Sequence, residues 1–339
     1  MGLRIPYKEM KRIIEKALLA AGVPAEKAAV CAEIHTDSSA DGIESHGLNR
    51  VPRFIDYVKK GLVNVNTEPE IVSARGAVER IDGHRGIGIT NALFAADRAV
   101  ELAGIHGIGC AALRNTTHWM RGGTYACRIA EKGFMGISWI CTENVMPLWG
   151  SDVQSVGNNP FCISIPRAGS PVVLDMAMSQ YAYGKLGVYE LAGKMTEYPC
   201  GFDEAGNATC DPAAVARTRR IMPAGYWKGT GLALALDLAG TMISSGRCSH
   251  EISAEKDGSC GGCTQIFIAY DPDLFGDYKE ILEKIELRLA AVNSAHPTDA
   301  SRPVQWPGEG MAHRREKNLA AGVPADESVW AEVCRLAAV

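Results

Sequence analysis

Apolar positions recur at helical spacing near the start of the chain. Met10, Ile13, Ile14, Ala17 and Leu18 fall on one face, and Gly22 supplies a stop. Pro24 opens a second helical pattern to about Ser39, and a third covers roughly Leu48 to Lys60, ending before Gly61. From residue 70 the period changes. Ile71-Val72-Ser73 and Val78-Glu79-Arg80-Ile81 read as short strands around a turn, Thr90 to Gly104 as a long alanine-rich helix, and Gly107 to Arg114 as a buried strand. A helix near 123–132 precedes a strand at Met135–Cys141, with further strands predicted at Pro160–Ile165 and Pro171–Asp175. Residues 195–225 read as loop. Leu232 to Ser244 is a strongly apolar helix, Gln265 to Ala269 a core strand, and Leu274 to Val292 a helix. The last helical pattern, from about Val323 to Ala338, resembles the first in composition and is expected to pack beside it.

The order of elements predicts a mixed α/β chain in three parts. These are a helical region over 1–70, an α/β body over 71–300, and C-terminal helices over 301–339 that return to the first part. Hydrophobic residues at 47% and charged residues at 22% match folded globular usage. A net charge of -4 leaves no basic footprint for nucleic acid. Nowhere does an apolar run reach the roughly 18 residues of a membrane span. The first residues lack a secretory apolar core, and Pro6 stands where a myristoylation signal after Met1-Gly2 has Ser or Thr. Cys31, Cys110, Cys127, Cys141, Cys162 and Cys334 sit singly, as free thiols of a cytoplasmic protein do. Cys260-Gly261-Gly262-Cys263 has no second pair at zinc spacing, although Cys200, Cys210, Cys248 and His250 lie upstream. It therefore reads as a thiol-bearing glycine loop and no metal is expected.

Candidate chemistry begins at Asp41-Gly42-Ile43-Glu44-Ser45-His46-Gly47-Leu48-Asn49-Arg50. Histidine exchanges protons near neutrality, and arginine offers a planar fork to a carboxylate. Continued as a helix from Gly47, this segment would place His46 and Arg50 on one face at i, i+4. A proton donor beside a carboxylate clamp suits a 2-keto or 2-hydroxy acid; a helix cap with two solvated side chains fits the same ten residues. Gly86-Ile87-Gly88 opens a helix, but Asn91 stands at the third glycine and no acidic residue follows at ribose spacing. The standard dinucleotide fingerprint is rejected. Asn115-Thr116-Thr117-His118-Trp119 ends a buried strand, as a substrate wall or a capped helix start. Gly157-Asn158-Asn159-Pro160 and Leu174-Asp175-Met176 are polar clusters against apolar strands; Asp175 would orient an imidazolium or cap a helix. Gly225-Tyr226-Trp227-Lys228-Gly229 and Pro307-Gly308-Glu309-Gly310 are turns that also suit close approach to a ligand.

Taken together, Asp41-Gly42 with Ser45-His46-Gly47, Gly157 to Pro160, Asp175-Met176-Ala177 with Ser179, Trp227-Lys228-Gly229 and Pro307-Gly308-Glu309 resemble the malate/L-lactate dehydrogenase family. That family comprises NAD(P)-dependent oxidoreductases without a Rossmann domain, and the resemblance runs from about residue 5 to 330. Within it, Asn115 to Tyr125, Gly201-Phe202-Asp203 and Arg219 to Gly229 look most like a branch that reduces a diketo sugar acid. The resemblance implies an α/β, non-Rossmann mixed-sheet fold, with N- and C-terminal helices packed together. It implies a homodimer, NAD as cofactor with NADP left open, and His46 as the acid–base residue. Cofactor contacts would fall on Met176, Ala177, Met178, Ser179, Gln180, Tyr181 and Ala182, on Trp227 and Lys228, and on Gly308, Glu309 and Gly310. Gly310 departs from the arginine usual there. Ser45 would hold the substrate carbonyl or position the His46 ring, Arg50 anchor a substrate carboxylate, and Asp175 orient His46, with Asn115, His118 and Asn159 touching substrate. Alternatives are a malate, lactate, ureidoglycolate or cyclic imino acid enzyme of the same family. From other classes come a metal-dependent hydrolase using His46, His118 and Asp175, and a non-catalytic NADH-binding protein.

Overall fold

The structure, a computed structural model, describes residues 3–255, 258 and 260–338. Met1-Gly2, with the myristoylation question, and Ser259 at the head of the thiol loop lie outside the described residues. The chain opens with helices α1 (Tyr7–Ala20), α2 (Ala25–Ala40) and α3 (Val51–Lys59). A seven-stranded sheet follows, of β1 (Glu70–Arg75), β2 (Val78–Asp82), β3 (Ile108–Thr116), β4 (Met135–Cys141), β5 (Phe161–Ile165), β6 (Val172–Met176) and β7 (Cys263–Tyr270). Its spatial order is β1-β2-β3-β7-β4-β5-β6. Only β2 and β3 pair in parallel; the other neighbours are antiparallel. A parallel pair needs a crossover, and α4 (Gly88–His106) supplies it.

Alternation along the strands divides the core into two layers. Phe267 and Ala269 of β7 face α4 and α5 (Gly122–Glu131), while Ile266 packs with Ala233 and Leu236 of a later helix on the other face. The alanines of α4 are fully buried, and their small size lets the helix lie directly on β3. A Cβ added to Gly109 would stand only 2.1 Å from the Ala99 carbonyl oxygen.

The connection after β6 carries α6 (Tyr183–Leu191) and α7 (Pro212–Thr218), neither of them predicted, before α8 (Trp227–Ser244) and α9 (Ser249–Ser253). The last part holds α10 (Tyr278–Asn293), α11 (Glu309–Ala321) and α12 (Glu327–Leu336). Gly322, at φ 87°, separates α11 from α12 and lets Val323–Pro324 pair antiparallel with Arg4–Ile5. Ile13, Ile14, Leu18, Phe54, Val323 and Val333 then share one core between the two chain ends. No helix among the described residues is long and apolar enough to cross a membrane.

Candidate active site

Helix α2 stops at Asp41, and Gly42 at φ 79° turns the chain back. Two 3-10 turns follow, Glu44–His46 and Leu48–Arg50, with Gly47 between them at φ -94° and ψ -131°. That break corrects the expected continuous helix from Gly47, so His46 and Arg50 are related by a bend and not by i, i+4 spacing. The cause is close approach. A Cβ on Gly47 would stand 2.1 Å from Ser39 Oγ and 3.0 Å from the His35 carbonyl oxygen, so only glycine lets the corner rest on α2. The Leu48 amide donates to Ser39 Oγ at 2.8 Å, and His35 Nδ1 lies 3.1 Å from the His46 carbonyl oxygen.

The corner presents His46 against His118, their rings stacked at 5.8 Å between centroids and 16° between planes. Ser45 Oγ lies 3.0 Å from His46 Nδ1. His118 Nδ1 accepts from the Met120 amide at 2.9 Å, which puts the ring hydrogen of neutral His118 on Nε2. The glycine pair at Gly86 and Gly88 serves this wall and not a phosphate. Thr117 Oγ1 donates to the Gly86 carbonyl and accepts from the Gly88 amide, and a Cβ on Gly88 would meet the His118 carbonyl oxygen at 2.3 Å.

Burial, the nearby Arg50 charge and the more distant Arg121 push the His46 pKa down to about 4, with Asp175 opposing. His118 is held well below its ordinary value by burial, then by Arg50, His46 and Arg53. Arg50 differs from the paired Arg121 and Arg315 nearby. Its Nε is buried with no hydrogen-bond partner, and among the described residues its guanidinium makes no ion pair. Burial and then Arg53 pull its pKa down.

Arg121, which sequence reasoning left without a role, organises the far side. It pairs with Asp41 and lies 3.7 Å from Asp175, while Arg315 of α11 reaches Asp41 at 2.9 Å and Asp37 at 2.6 Å. Asp175 also accepts from the Gly123 amide at 2.9 Å and from the Cys162 thiol at 3.3 Å. It makes no hydrogen bond to His46 and acts on the ring only through space. A cavity of about 530 Å³ lies behind this network, lined by Asp41, Arg121, Gly308 and Met311, and not over the His46 ring.

The three segments expected to hold cofactor meet along β6. The Val173 amide donates to Pro307 O at 3.0 Å, and Gly308 at φ 97° has no Cβ to meet Val173 N at 3.1 Å. Beyond the strand, Met178 N donates to Asn158 O and Met178 O accepts from Ala224 N. Gly229 closes the arrangement, since a Cβ there would meet Ala224 O at 2.4 Å and Met178 O at 2.7 Å. Gly184, two residues past Ala182, would carry its Cβ 3.2 Å from Ser45 Cβ. The segment Met176 to Ala182 therefore runs from the strand edge to the His46 corner. Ser179 Oγ within it is buried without a partner.

A sequence profile of malate/L-lactate dehydrogenases matches residues 5–334. The chain belongs to the malate/L-lactate dehydrogenase family. Among its relatives, the 2,3-diketo-L-gulonate reductase of Citrobacter koseri is 40% identical over 332 residues, covering 98% of this chain and 99% of that protein. The malate dehydrogenase of Pyrococcus horikoshii superposes with a TM-score of 0.90 at 27% identity, over 99% of this chain and 95% of that one. That of Entamoeba histolytica reaches 0.94 at 22% identity, over 100% and 98%, and shares the fold. The chain is thus an oxidoreductase of a nicotinamide-dependent family, with the non-Rossmann mixed sheet that its motifs implied.

Within this family framework two expected substrate contacts are engaged elsewhere. Asn115, at φ 51°, donates its side-chain amide to Asp82 at 2.8 Å and braces the end of β2. Asn159 is fully buried, accepting from the Thr142 amide and donating to the Ala233 carbonyl, each at 2.9 Å, so it pins the chain before β5 to α8. Gln180, Trp227 and Lys228 are exposed, whereas Met178, Ser179 and Tyr181 are buried. Glu309 is held by the Asn293 side chain at 2.8 Å and the Trp306 amide at 3.2 Å. Cys260 and Cys263 are buried beside Trp119, and the Gly258 carbonyl accepts from Arg53 and Tyr57 of α3. Among the described residues no group of three or more His, Cys, Asp or Glu is placed to hold a metal ion.

Proposed function

We propose that this chain uses NADH to reduce the 2-keto group of a 2-keto acid to a hydroxyl, with 2,3-diketo-L-gulonate the foremost substrate. Its full-length similarity to 2,3-diketo-L-gulonate reductases supports the substrate. The observation that carries the chemistry is the unpartnered, part-buried Arg50 guanidinium beside the stacked His46 and His118 rings. A carboxylate fits it as a bidentate partner.

The nicotinamide supplies the hydride when bound. Met176 to Ala182, Trp227, Lys228 and Gly308 to Gly310 would hold it, and the partnerless Ser179 hydroxyl is a donor or acceptor available to it. Arg50 anchors the substrate carboxylate. Docking that anion offsets the Arg50 contribution to the low His46 pKa, while burial, the larger cause, remains. Ser45 at Nδ1 leaves Nε2 as the atom that exchanges the proton with the substrate oxygen. His118, carrying its hydrogen on Nε2, donates to a hydroxyl or carbonyl of the substrate. Asp175 steadies the charged His46 from a distance.

A homodimer completes the proposal. Trp227, Leu234, Leu238 and Met242 form an exposed apolar face of α8, unusual for a helix already packed on a sheet, and a second copy covers it. Leu238→Glu should convert a dimer to monomer in sedimentation; a variant that stays dimeric places the interface elsewhere. The free thiols fit a reducing, cytoplasmic compartment. The function itself is tested by following NADH and NADPH oxidation with 2,3-diketo-L-gulonate, malate-, lactate- and ureidoglycolate-derived keto acids and a cyclic imino acid. His46→Ala should lose about 10²–10⁴-fold in kcat while still binding NADH; near-normal turnover refutes the assignment.

A further inference from the structure

We infer that His35 is a positioning residue for His46, acting on the backbone of the corner. The inference rests on the reading of His46 as the proton-exchanging group. His35 is fully buried in α2, directly beneath the Ser45-His46-Gly47 turn. Its Nδ1 lies 3.1 Å from the carbonyl oxygen of His46 itself. A carbonyl only accepts, so the ring hydrogen sits on Nδ1 and the imidazole donates. Burial, followed by smaller opposing and assisting contributions from the corner backbone, Arg50 and His46, keeps the ring neutral with a pKa of about 4.

The other ring nitrogen makes the case. His35 Nε2 is buried and has no partner. A buried acceptor without a donor is unfavourable and calls for an explanation. A leucine or phenylalanine would fill this space beside Phe54 without stranding a nitrogen. What those side chains lack is the Nδ1 hydrogen aimed at the His46 carbonyl. Fixing that carbonyl fixes the His46 backbone and hence the direction of its Cα–Cβ bond. The ring must hold a 16° stack against His118 while Gly47, lacking a Cβ, adds no steric guide of its own. Ser39, one helical turn on, anchors the next amide at Leu48. His35 and Ser39 together clamp both sides of Gly47 to α2.

Two substitutions separate positioning from packing. His35→Asn places an amide N–H near the former Nδ1, and His35→Leu removes the donor. For His35→Leu, kcat should fall at least about tenfold, with NADH affinity within about twofold of the parent, because misplacement at the reacting centre lowers the rate and not cofactor binding. His35→Asn should recover most of that loss. Equal losses in both variants, or an unchanged kcat in His35→Leu, overturn the proposal. If His35→Leu does not fold, long-range ¹⁵N–¹H spectra of the parent decide: a hydrogen on His35 Nε2 overturns the proposal, and one on Nδ1 supports it. His46→Ala measured alongside keeps the two readings apart. An active His46→Ala removes the reading of His46, whereas an inactive one beside a fully active His35→Leu removes only the role of His35.

Discussion

Acid should loosen this protein well above the range where its carboxylates titrate, and His35 sets the size of the effect. Its pKa is about 4 in the folded chain against 6.5 for an ordinary histidine. Between those values the unfolded chain binds a proton that the folded chain refuses, so stability rises with pH across that window and falls on acidification. From about pH 7 to about pH 5 the linkage amounts to about 2 kcal/mol for His35 alone. His46 and His118, whose pKa values burial also lowers, act in the same direction. Asp82 and Asp97 are held below the usual carboxylate range and stay ionised through most of this window. Asp237, raised by burial, acts with the opposite sign. Comparing the parent with His35→Asn cancels these other groups, because Asn does not titrate. Urea denaturation at the two pH values is the assay. The parent should lose about 2 kcal/mol more than the variant on acidification. Parallel losses would refute the argument that His35 is buried and neutral.

Two further outcomes follow from geometry. Arg50→Lys keeps the charge but loses the planar fork, so KM for the keto acid should rise about 10–100-fold, by about 1.5–3 kcal/mol, with NADH affinity unchanged in a fluorescence titration. An unchanged KM would place the carboxylate elsewhere. Gly229→Ala would ordinarily favour a helix by about 1 kcal/mol; here the added Cβ meets two carbonyl oxygens at 2.4 and 2.7 Å, so the protein should melt lower and bind NADH more weakly. A higher melting temperature would show that α8 can back away from Met178.

The helices α1, α2 and α4 were legible from apolar spacing, an opening proline and a run of alanines respectively. α6 was not, since Gly184 and Gly187 break its pattern, and Gly184 is there to admit Ser45. The Leu48–Lys60 helix was legible too, entered through the Leu48–Arg50 turn, whereas the break at Gly47 was not, because nothing local shows Gly47 pressed against Ser39. Ser45, His46, Arg50 and His118 were named from residue type and neighbours, and the stacking of the two rings came only with the fold. The anchors of Asn115 and Asn159 were not readable, because their partners Asp82 and Ala233 lie far away in sequence. Arg121 was visible within Met120-Arg121-Gly122-Gly123, but its partners on α2 and β6 were not. His35 passed as one more residue of a buried helix face.

The pairing of Arg315 with Asp41 spans 274 positions of the chain. At ribosomal speeds of about 5–20 residues per second, the amino-terminal helices wait roughly 14–55 s for that arginine to be made. During this interval the surface meant for Val323 and Val333 is bare, and Asp41 lacks one of its two cations. The nascent His46 corner is thus a late-maturing part of the molecule, and a premature stop anywhere before α11 would leave it unfinished.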